Sequence, residues 1–145
     1  MVDPRTLLTP DRLDFAVKHR FFRHLLNGGD EDSERVYRWH IQARTGGREL
    51  RSWKECLDDY VRACRELLPS MRQGFDPAKP VVFGSNGILM DGAHRISCAL
   101  LLGCRIEVMS SNQPSKARPW GRHEMIEQGI AASDLARIQS DFEKL

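Results

Sequence analysis

The residues best suited to chemistry stand together in the segment Asp91-Gly92-Ala93-His94-Arg95. An arginine can hold phosphate oxygens through two parallel hydrogen bonds, and a histidine can either donate a hydrogen bond or move a proton. A glycine lets a ligand approach the backbone closely. An aspartate can bind a divalent cation or accept a proton from a hydroxyl group. These residue types indicate a phosphate site in which Asp91 and His94 are the candidate catalytic residues.

Apolar residues on both sides predict that this segment is the corner between a strand and a helix. Val81 to Phe83 and Ile88 to Met90 are short apolar runs separated by turn residues, so they predict a β-hairpin. The apolar residues then recur every three or four positions up to Gly103, which predicts a helix that ends there. Backbone N–H groups at a helix N-terminus are unpaired and favour anions. An ordinary capped turn with a solvated first helical turn is the alternative explanation.

The segment from Gly87 to Gly103, GILMDGAHRISCALLLG, resembles the signature of the ParB/sulfiredoxin-like fold superfamily. In that superfamily a strand, a DGxHR-like corner and an apolar helix bind nucleotide phosphates. Its members include chromosome-partitioning ParB proteins, which bind CTP and DNA, sulfiredoxins, which use ATP to repair oxidised cysteine, and free-serine kinases. The likeness covers residues 80–109 of the 145 and implies a site for ATP or ADP with Mg²⁺.

The individual residues of the corner match the family pattern with one departure. His94 and Arg95 match the pair that contacts ATP phosphates, and Gly92 matches the glycine that lets the backbone approach them. Ala93 belongs to the same nucleotide-binding turn but stands where a sulfiredoxin has its reactive cysteine, so that repair mechanism has no nucleophile here. Asp91 matches the acidic residue of the kinase-like members, which implies that it holds Mg²⁺ or serves as the base.

Further segments resemble small bacterial proteins of this fold that accompany sugar-transfer and polysaccharide or secondary-metabolite genes. These segments are Arg12-Leu13-Asp14-Phe15 with Lys18, Tyr37-x-x-His40-Ile41, and Ser70 to Asp76. The likeness implies that Arg12, Asp14, Lys18, His40 and Asp76 bind the substrate, and it favours a small molecule over DNA. From spacing alone, the cations of the first helix are a solvated face and His40 is a packing residue.

The composition is that of an ordinary soluble protein of one domain. Hydrophobic residues make up 41% and charged residues 29% of the 145. The 22 basic and 20 acidic residues give a net charge of +2, which argues against DNA as the main partner. No apolar run approaches the roughly 20 residues of a membrane span, and the start MVDPRTLLTPDR lacks a signal sequence, so we expect a cytoplasmic protein without membrane contact.

The remaining patterns predict helices around the strand-corner-helix core at residues 80–109. Residues 1–75 predict three helices, of which the first begins at Pro10. The third begins at a capping box of Ser52 and Glu55 and includes Trp53 and Cys56 in its apolar stripe. The predicted fold is therefore a single α/β (α+β) domain with a helical N-terminal half and a small mixed sheet.

Residues 110–145 predict a loop followed by two helices. Lys116 or Arg118 of that loop could help to neutralise a phosphate, although a mobile surface loop is an equal alternative. The four cysteines form no C-x-x-C pair, so we expect free thiols rather than zinc ligands or disulfides.

Three classes of function fit these patterns. The first is a nucleotide-dependent, kinase-like phosphotransferase that acts on a small hydroxylated metabolite such as a sugar, polyol or amino acid. The second is a ParB-like module that binds CTP and associates with DNA, but the 36 residues after Met109 are poorly patterned for a recognition helix-turn-helix. The third is a non-catalytic partner subunit of a biosynthetic enzyme that retains the corner. We expect the first class.

Overall fold

The computed structural model describes residues 1–46 and 53–145, in which helices surround a three-stranded sheet. A short 3-10 turn at Pro4–Leu7 precedes them. The elements are α1 (Asp14–Asn27), α2 (Asp32–Thr45), α3 (Leu57–Arg72), β1 (Val81–Phe83), β2 (Leu89–Asp91), α4 (Ala93–Leu102), β3 (Val108–Ser110), α5 (Arg122–Glu127) and α6 (Ala132–Glu143). The predicted α+β class with a helical N-terminal half is confirmed. Within the described ranges, no helix is long and apolar enough to cross a bilayer.

The sheet is mixed, as predicted, and its strand order is β2-β1-β3. The central strand β1 pairs antiparallel with β2, where Val82 lies opposite Asp91. It pairs parallel with β3, where Val82 lies opposite Met109. Helix α4 connects the two outer strands. Because β2 ends at Asp91, opposite Val82, the corner between strand and helix lies beside the central strand β1.

The predicted corner is present, and Gly92 explains how it fits. Gly92 has a φ of +108°, a left-handed conformation that other residues rarely adopt, and it precedes α4 directly. A Cβ atom on Gly92 would lie 2.9 Å from Cγ2 of Val81, closer than side chains pack. Glycine therefore allows the N-terminus of α4 to rest against β1. The last residue of the helix is Leu102, and Gly103 caps it, which is the end that the spacing of its apolar residues predicted.

Helix α1 is the central helix of the fold. It packs against α4, α2 and α6. Its aromatic residues Phe15, Phe21 and Phe22 are fully buried, and the ring of Phe21 stacks on Tyr37 of α2 with a centroid separation of 4.5 Å. Since α1 is buried along much of its length, its polar side chains must find partners inside the protein.

Helix α1 begins at Asp14, four residues later than the predicted start at Pro10. The reason is a backbone pairing with a distant part of the chain. Trp120 N–H donates to Asp11 O at 2.7 Å, and Leu13 N–H donates to Trp120 O at 3.0 Å. Residues 10–13 therefore form turns and one isolated bridge, between Arg12 and Trp120, rather than the first turns of a helix.

Helix α3 also begins later than predicted. Ser52 lies outside the described residues, but Trp53 to Cys56 are not helical and the helix starts at Leu57. The Asp59 carboxylate accepts hydrogen bonds from the N–H groups of Glu55 and Cys56, so a reciprocal cap forms at a later position than predicted. Trp53 is 50% exposed, and the prediction that it belongs to the core is wrong.

The polar loop after β3 is fastened to the hairpin. Asn86 Nδ2 donates to Ser115 O at 3.0 Å, and Ser115 N–H donates back to Asn86 Oδ1 at 3.1 Å. The Ser115 hydroxyl also donates to Leu89 O. A Cβ atom on Gly84 would lie 2.3 Å from Ser115 N, so glycine permits this close approach. These contacts hold the following residues, including Arg118, beside the sheet.

The close approach at Gly92 predicts an unequal response to substitution at two glycines of positive φ. Gly103 has a φ of +66° but open space around its missing Cβ, so Gly103→Ala adds only backbone strain of about 1 kcal/mol. Gly92→Ala adds the clash with Val81 and should lower the free energy of unfolding by about 2–4 kcal/mol. Denaturant unfolding of both variants tests this, and equal losses would contradict it.

Candidate functional site

A cavity of about 1080 Å³ lies beside the corner between β2 and α4. Its walls come from the start of α1, the end of α2, helix α3, the outer face of the sheet, the first turn of α4 and the loop that carries Arg118. The volume is at the upper end of the range for small-molecule and cofactor sites. The cavity can therefore take a ligand of nucleotide size, or two smaller ligands side by side.

Eight of the ten candidate residues line this cavity. They are Arg12, Asp14, Lys18 and the five residues from Asp91 to Arg95. Residues far apart in the sequence are therefore brought to one place. The other two candidates are His40, which is buried behind Lys18, and Asp76, an exposed residue whose carboxylate accepts from Ala78 N–H at 3.0 Å.

The cavity is strongly basic. Among its lining residues that the structure describes, seven basic side chains face three acidic ones, whereas the whole chain carries a net charge of only +2. The basic residues are Arg12, Lys18, Arg44, Lys54, Lys79, Arg95 and Arg118, and the acidic ones are Asp14, Glu66 and Asp91. Such a concentration of positive charge in a concave site attracts anions.

Three of these cations were not predicted as site residues. Arg44 is at the end of α2, Lys54 precedes α3, and Lys79 precedes β1. Their sequence contexts carry no motif, because each stands alone among loop or helix-end residues. Arg44 lies one helical turn after His40, which is the only local signal that could have indicated it.

The outer face of the sheet supplies an apolar wall to the same cavity. Side chains alternate between the faces of a strand, so Val82, Met90 and Met109 point away from the core and line the cavity instead. Met90 is 43% and Met109 50% exposed. The cavity thus combines a basic part with an apolar part, which suits a ligand with both anionic and apolar groups.

The first turn of α4 lines the cavity, and the first N–H groups of an α-helix have no partner within the helix. Gly92 precedes the helix and has no side chain that could cap these N–H groups. Arg95 donates from Nη2 to Asp91 Oδ2 at 2.7 Å and also donates to Lys79 O. The side chain of Asp91 is 73% exposed, whereas that of Arg95 is 17% exposed. The guanidinium is therefore held in position beside the helix N-terminus.

His94 is held from behind by a tyrosine. Its Nε2 atom lies 2.8 Å from the hydroxyl oxygen of Tyr37, and the edge of the Phe22 ring packs on it with centroids 6.5 Å apart. Burial and the nearby charges of Lys18 and Arg44 lower the pKa of His94 well below its ordinary value. His94 is therefore neutral at physiological pH.

Asp14 is fully enclosed by two cations. Arg12 donates to both of its carboxylate oxygens, at 2.8 and 2.7 Å, and Lys18 Nζ donates to Oδ2 at 2.6 Å. Burial disfavours the charge of Asp14, but the attraction of Lys18 and Arg12 exceeds this effect and lowers its pKa well below the ordinary value. Asp14 and Lys18 thus form an i,i+4 ion pair that is buried, whereas spacing alone predicted a solvated face for the cations of this helix.

Lys18 is completely buried, and it has a second partner besides Asp14. Its Nζ lies 3.1 Å from Nε2 of His40, and burial together with Arg44 and Arg12 lowers the pKa of Lys18 to about 8, although Asp14 opposes the shift. Burial and the Lys18 charge hold His40 neutral, with a pKa well below the ordinary value. The Nδ1 atom of His40 is buried and has no hydrogen-bond partner in the described chain.

The donors present fit a nucleotide phosphate better than a protein-bound metal cluster. Within the described residues there is no group of three or more His, Cys, Asp or Glu that could hold a metal ion. Mg²⁺ that arrives with a nucleotide needs only one or two protein carboxylates, because phosphate oxygens and water complete its shell. The exposed carboxylate of Asp91 fits that role. The four cysteines are free thiols; Cys64 and Cys98 are buried and Cys104 is partly buried, but Cys56 is exposed, so its predicted place in the apolar stripe of α3 is wrong.

The buried pair predicts a stability difference that changes with pH. The pKa of Lys18 is about 8 in the folded protein and 10.5 ordinarily, so between these values the unfolded state binds more protons. The free energy of unfolding of the wild type, relative to Lys18→Met, should therefore rise with pH from 8 to 10, by about 1 kcal/mol per pH unit at most. Urea unfolding of both proteins at several pH values measures this difference in the free energy of unfolding. A difference that does not change with pH would contradict the lowered pKa of Lys18.

Comparison of the chain with known proteins gave no matching family model, no similar curated protein and no similar solved structure. The likeness to the ParB/sulfiredoxin-like superfamily therefore depends on the corner residues themselves.

Proposed function

We propose that the protein is a nucleotide-dependent phosphotransferase whose cavity binds the phosphates of ATP at the first turn of α4. The observation that carries the proposal is the convergence of seven basic side chains and a helix N-terminus on one cavity of nucleotide size. Phosphoryl transfer needs mainly positioning and neutralisation of charge, which this cavity is built to supply.

In this proposal the corner residues bind the phosphates, and Asp91 serves both the metal ion and the transfer step. The backbone N–H groups after Gly92, the His94 ring and the Arg95 guanidinium hold phosphate oxygens. Lys79 lies beside Arg95, whose guanidinium donates to the Lys79 carbonyl oxygen, and adds a further positive charge. Mg²⁺ bound with the nucleotide would neutralise phosphate charge, and Asp91 is the residue that would hold it.

In the transfer step, Asp91 accepts the proton of the acceptor hydroxyl group. The hydroxyl oxygen of the acceptor forms a bond to the γ-phosphorus while the bond from that phosphorus to the bridging oxygen breaks. ADP leaves with the electron pair of the broken bond, and the hydroxyl proton passes to the Asp91 carboxylate. The products are ADP and a phosphorylated acceptor.

The acceptor in this proposal is a small hydroxylated metabolite. Arg12 lines the cavity and its side chain is partly exposed, and the apolar sheet wall of Met90 and Met109 offers space for a less polar group. Because the reaction consumes ATP, the proposal includes a cytoplasmic location. The free cysteines support that location.

The first test is calorimetric titration of ATP with Mg²⁺ at fixed salt. Lys79→Ala and Arg95→Ala each remove one cation of the cavity and should weaken binding about tenfold, which is about 1.4 kcal/mol. Lys144→Ala and Arg5→Ala are matched controls, because neither residue lines the cavity, and they should change the affinity less than twofold.

The outcome also separates the three classes of function. ATP binding that depends on Lys79 and Arg95, followed by phosphorylation in an acceptor screen by ³¹P NMR, supports the proposal. Binding of CTP alone would favour a ParB-like module. The absence of any nucleotide binding would favour a non-catalytic partner subunit.

Substitution of Asp91 gives a second test, because it should raise the affinity for metal-free ATP and reduce the gain in affinity that Mg²⁺ provides. Asp91 repels phosphate oxygens unless Mg²⁺ lies between them. Asp91→Asn should therefore strengthen binding of metal-free ATP roughly three- to tenfold and weaken the effect of Mg²⁺ on affinity, while phosphoryl transfer is lost. Asp58→Asn, an exposed carboxylate outside the cavity, is the control. Unchanged Mg²⁺ dependence in Asp91→Asn would exclude Asp91 as the metal ligand.

A further inference from the structure

Tyr37 and Cys64 form a chain of hydrogen bonds that ends at His94. Tyr37, on α2, is fully buried and does not line the cavity. Its hydroxyl oxygen lies 2.8 Å from His94 Nε2 and 3.2 Å from Cys64 Sγ, which belongs to α3. Three helices thus contribute one side chain each to a chain that reaches the candidate phosphate site.

The direction of these hydrogen bonds follows from the number of hydrogens. Burial raises the pKa of Tyr37 above its ordinary value and that of Cys64 to about 11, so both groups keep their hydrogen at neutral pH. The Cys64 thiol donates to the Tyr37 oxygen. The single Tyr37 hydrogen then goes to the stronger acceptor, and an imidazole nitrogen accepts far better than a thiol sulfur. Tyr37 is therefore the donor to Nε2 of His94.

We propose that Tyr37 is a positioning residue that holds His94 as the neutral tautomer with its hydrogen on Nδ1, so that His94 donates a hydrogen bond to a phosphate oxygen in the cavity. When one ring nitrogen accepts a hydrogen bond, the hydrogen of a neutral imidazole must reside on the other. The identity of the ligand rests on the proposed function, whereas the tautomer does not.

The Nδ1 atom of His94 is available for this purpose. His94 lines the cavity, and its Nδ1 has no hydrogen-bond partner among the described residues. His94 is only partly buried, and with Nε2 engaged by Tyr37 its Nδ1–H group is the ring donor that remains for a ligand in the cavity, beside the first turn of α4.

This arrangement assigns different tasks to the two candidate catalytic residues. A histidine with its Nε2 lone pair engaged by Tyr37 and a hydrogen on Nδ1 cannot accept a proton from the acceptor hydroxyl. His94 instead contributes a fixed, uncharged donor, because burial and the neighbouring cations lower its pKa. Asp91 is then the group that takes the proton.

The tautomer can be read directly by NMR of protein with ¹⁵N-labelled histidine. The resonances of His94 are identified by their loss in His94→Asn. The wild type should show a protonated Nδ1 and an unprotonated Nε2, and Tyr37→Phe should move the hydrogen of His94 to Nε2, which is the nitrogen that carries it in an unconstrained neutral histidine side chain. Phenylalanine keeps the ring that stacks on Phe21, so the variant retains the packing. A protonated Nε2 in the wild type, or no change in Tyr37→Phe, would overturn the inference.

Two substitutions of His94 test the hydrogen bond to the ligand. An asparagine amide can place its N–H near the position of Nδ1, whereas a glutamine amide reaches the position of Nε2. His94→Asn should keep the affinity for ATP with Mg²⁺ within about threefold of the wild type, and His94→Gln should lose about tenfold. The reverse order would overturn the assignment of the donor to Nδ1.

The design separates this inference from the proposed function. If wild-type protein binds neither ATP nor inorganic phosphate, the proposed function and the ligand contact of His94 both fail. The NMR measurement still decides whether Tyr37 sets the tautomer, because it requires no ligand. If ATP binds normally to Tyr37→Phe with an unchanged His94 tautomer, the proposed function stands and the role of Tyr37 is excluded.

Discussion

The buried pairing of Asp14 with Lys18 and Arg12 is the constraint on which the helical half of the protein depends. A lone charge without access to water would be strongly destabilising, so all three side chains must stay together. Asp14 also occupies the first turn of α1, where the helix dipole favours a carboxylate. To reach Asp14, Arg12 must lie outside the helix, and it does so in the segment that pairs with Trp120. The ion pair therefore contributes to one wall of the cavity and, together with the pairing to Trp120, to the start of α1.

The same pairing limits which cations of the cavity are available to a ligand. Lys18 is paired with Asp14 and fully buried, so it contributes to the electrostatic potential of the cavity but offers little surface for contact with a ligand. Arg44, Lys79 and Arg118 are exposed residues at the rim, where solvent screens them but leaves them accessible. The repulsion among so many cations opposes folding, and proteins commonly accept such strain at binding sites. A polyanionic ligand would relieve it, which couples binding to stability.

The corner between β2 and α4 could be predicted from the sequence because its determinants are local. The change of apolar period after Met90 and the glycine at Gly103 lie within a few residues of the elements that they define. The start of α1 could not be predicted, because Trp120 determines it from the far end of the chain. The sequence predicted Glu55 as the capping residue of α3, but Asp59 has that role in the structure. Several residues near a helix start can cap it, and packing decides among them. The basic cavity likewise depends on tertiary contacts between segments that carry no motif.

The two histidines of the site show why residue type alone does not identify a functional group. His40 and His94 are both neutral, and each has its Nε2 within hydrogen-bond distance of one buried side chain, Lys18 or Tyr37. The ring of His40 packs on Trp120, with centroids 4.8 Å apart, and its Nδ1 is sealed from the cavity. His94 instead lies in the first turn of a helix whose N-terminus lines the cavity. What distinguishes the candidate His94 from the packing residue His40 is therefore its place at a helix end that lines the cavity, which sequence spacing alone does not indicate.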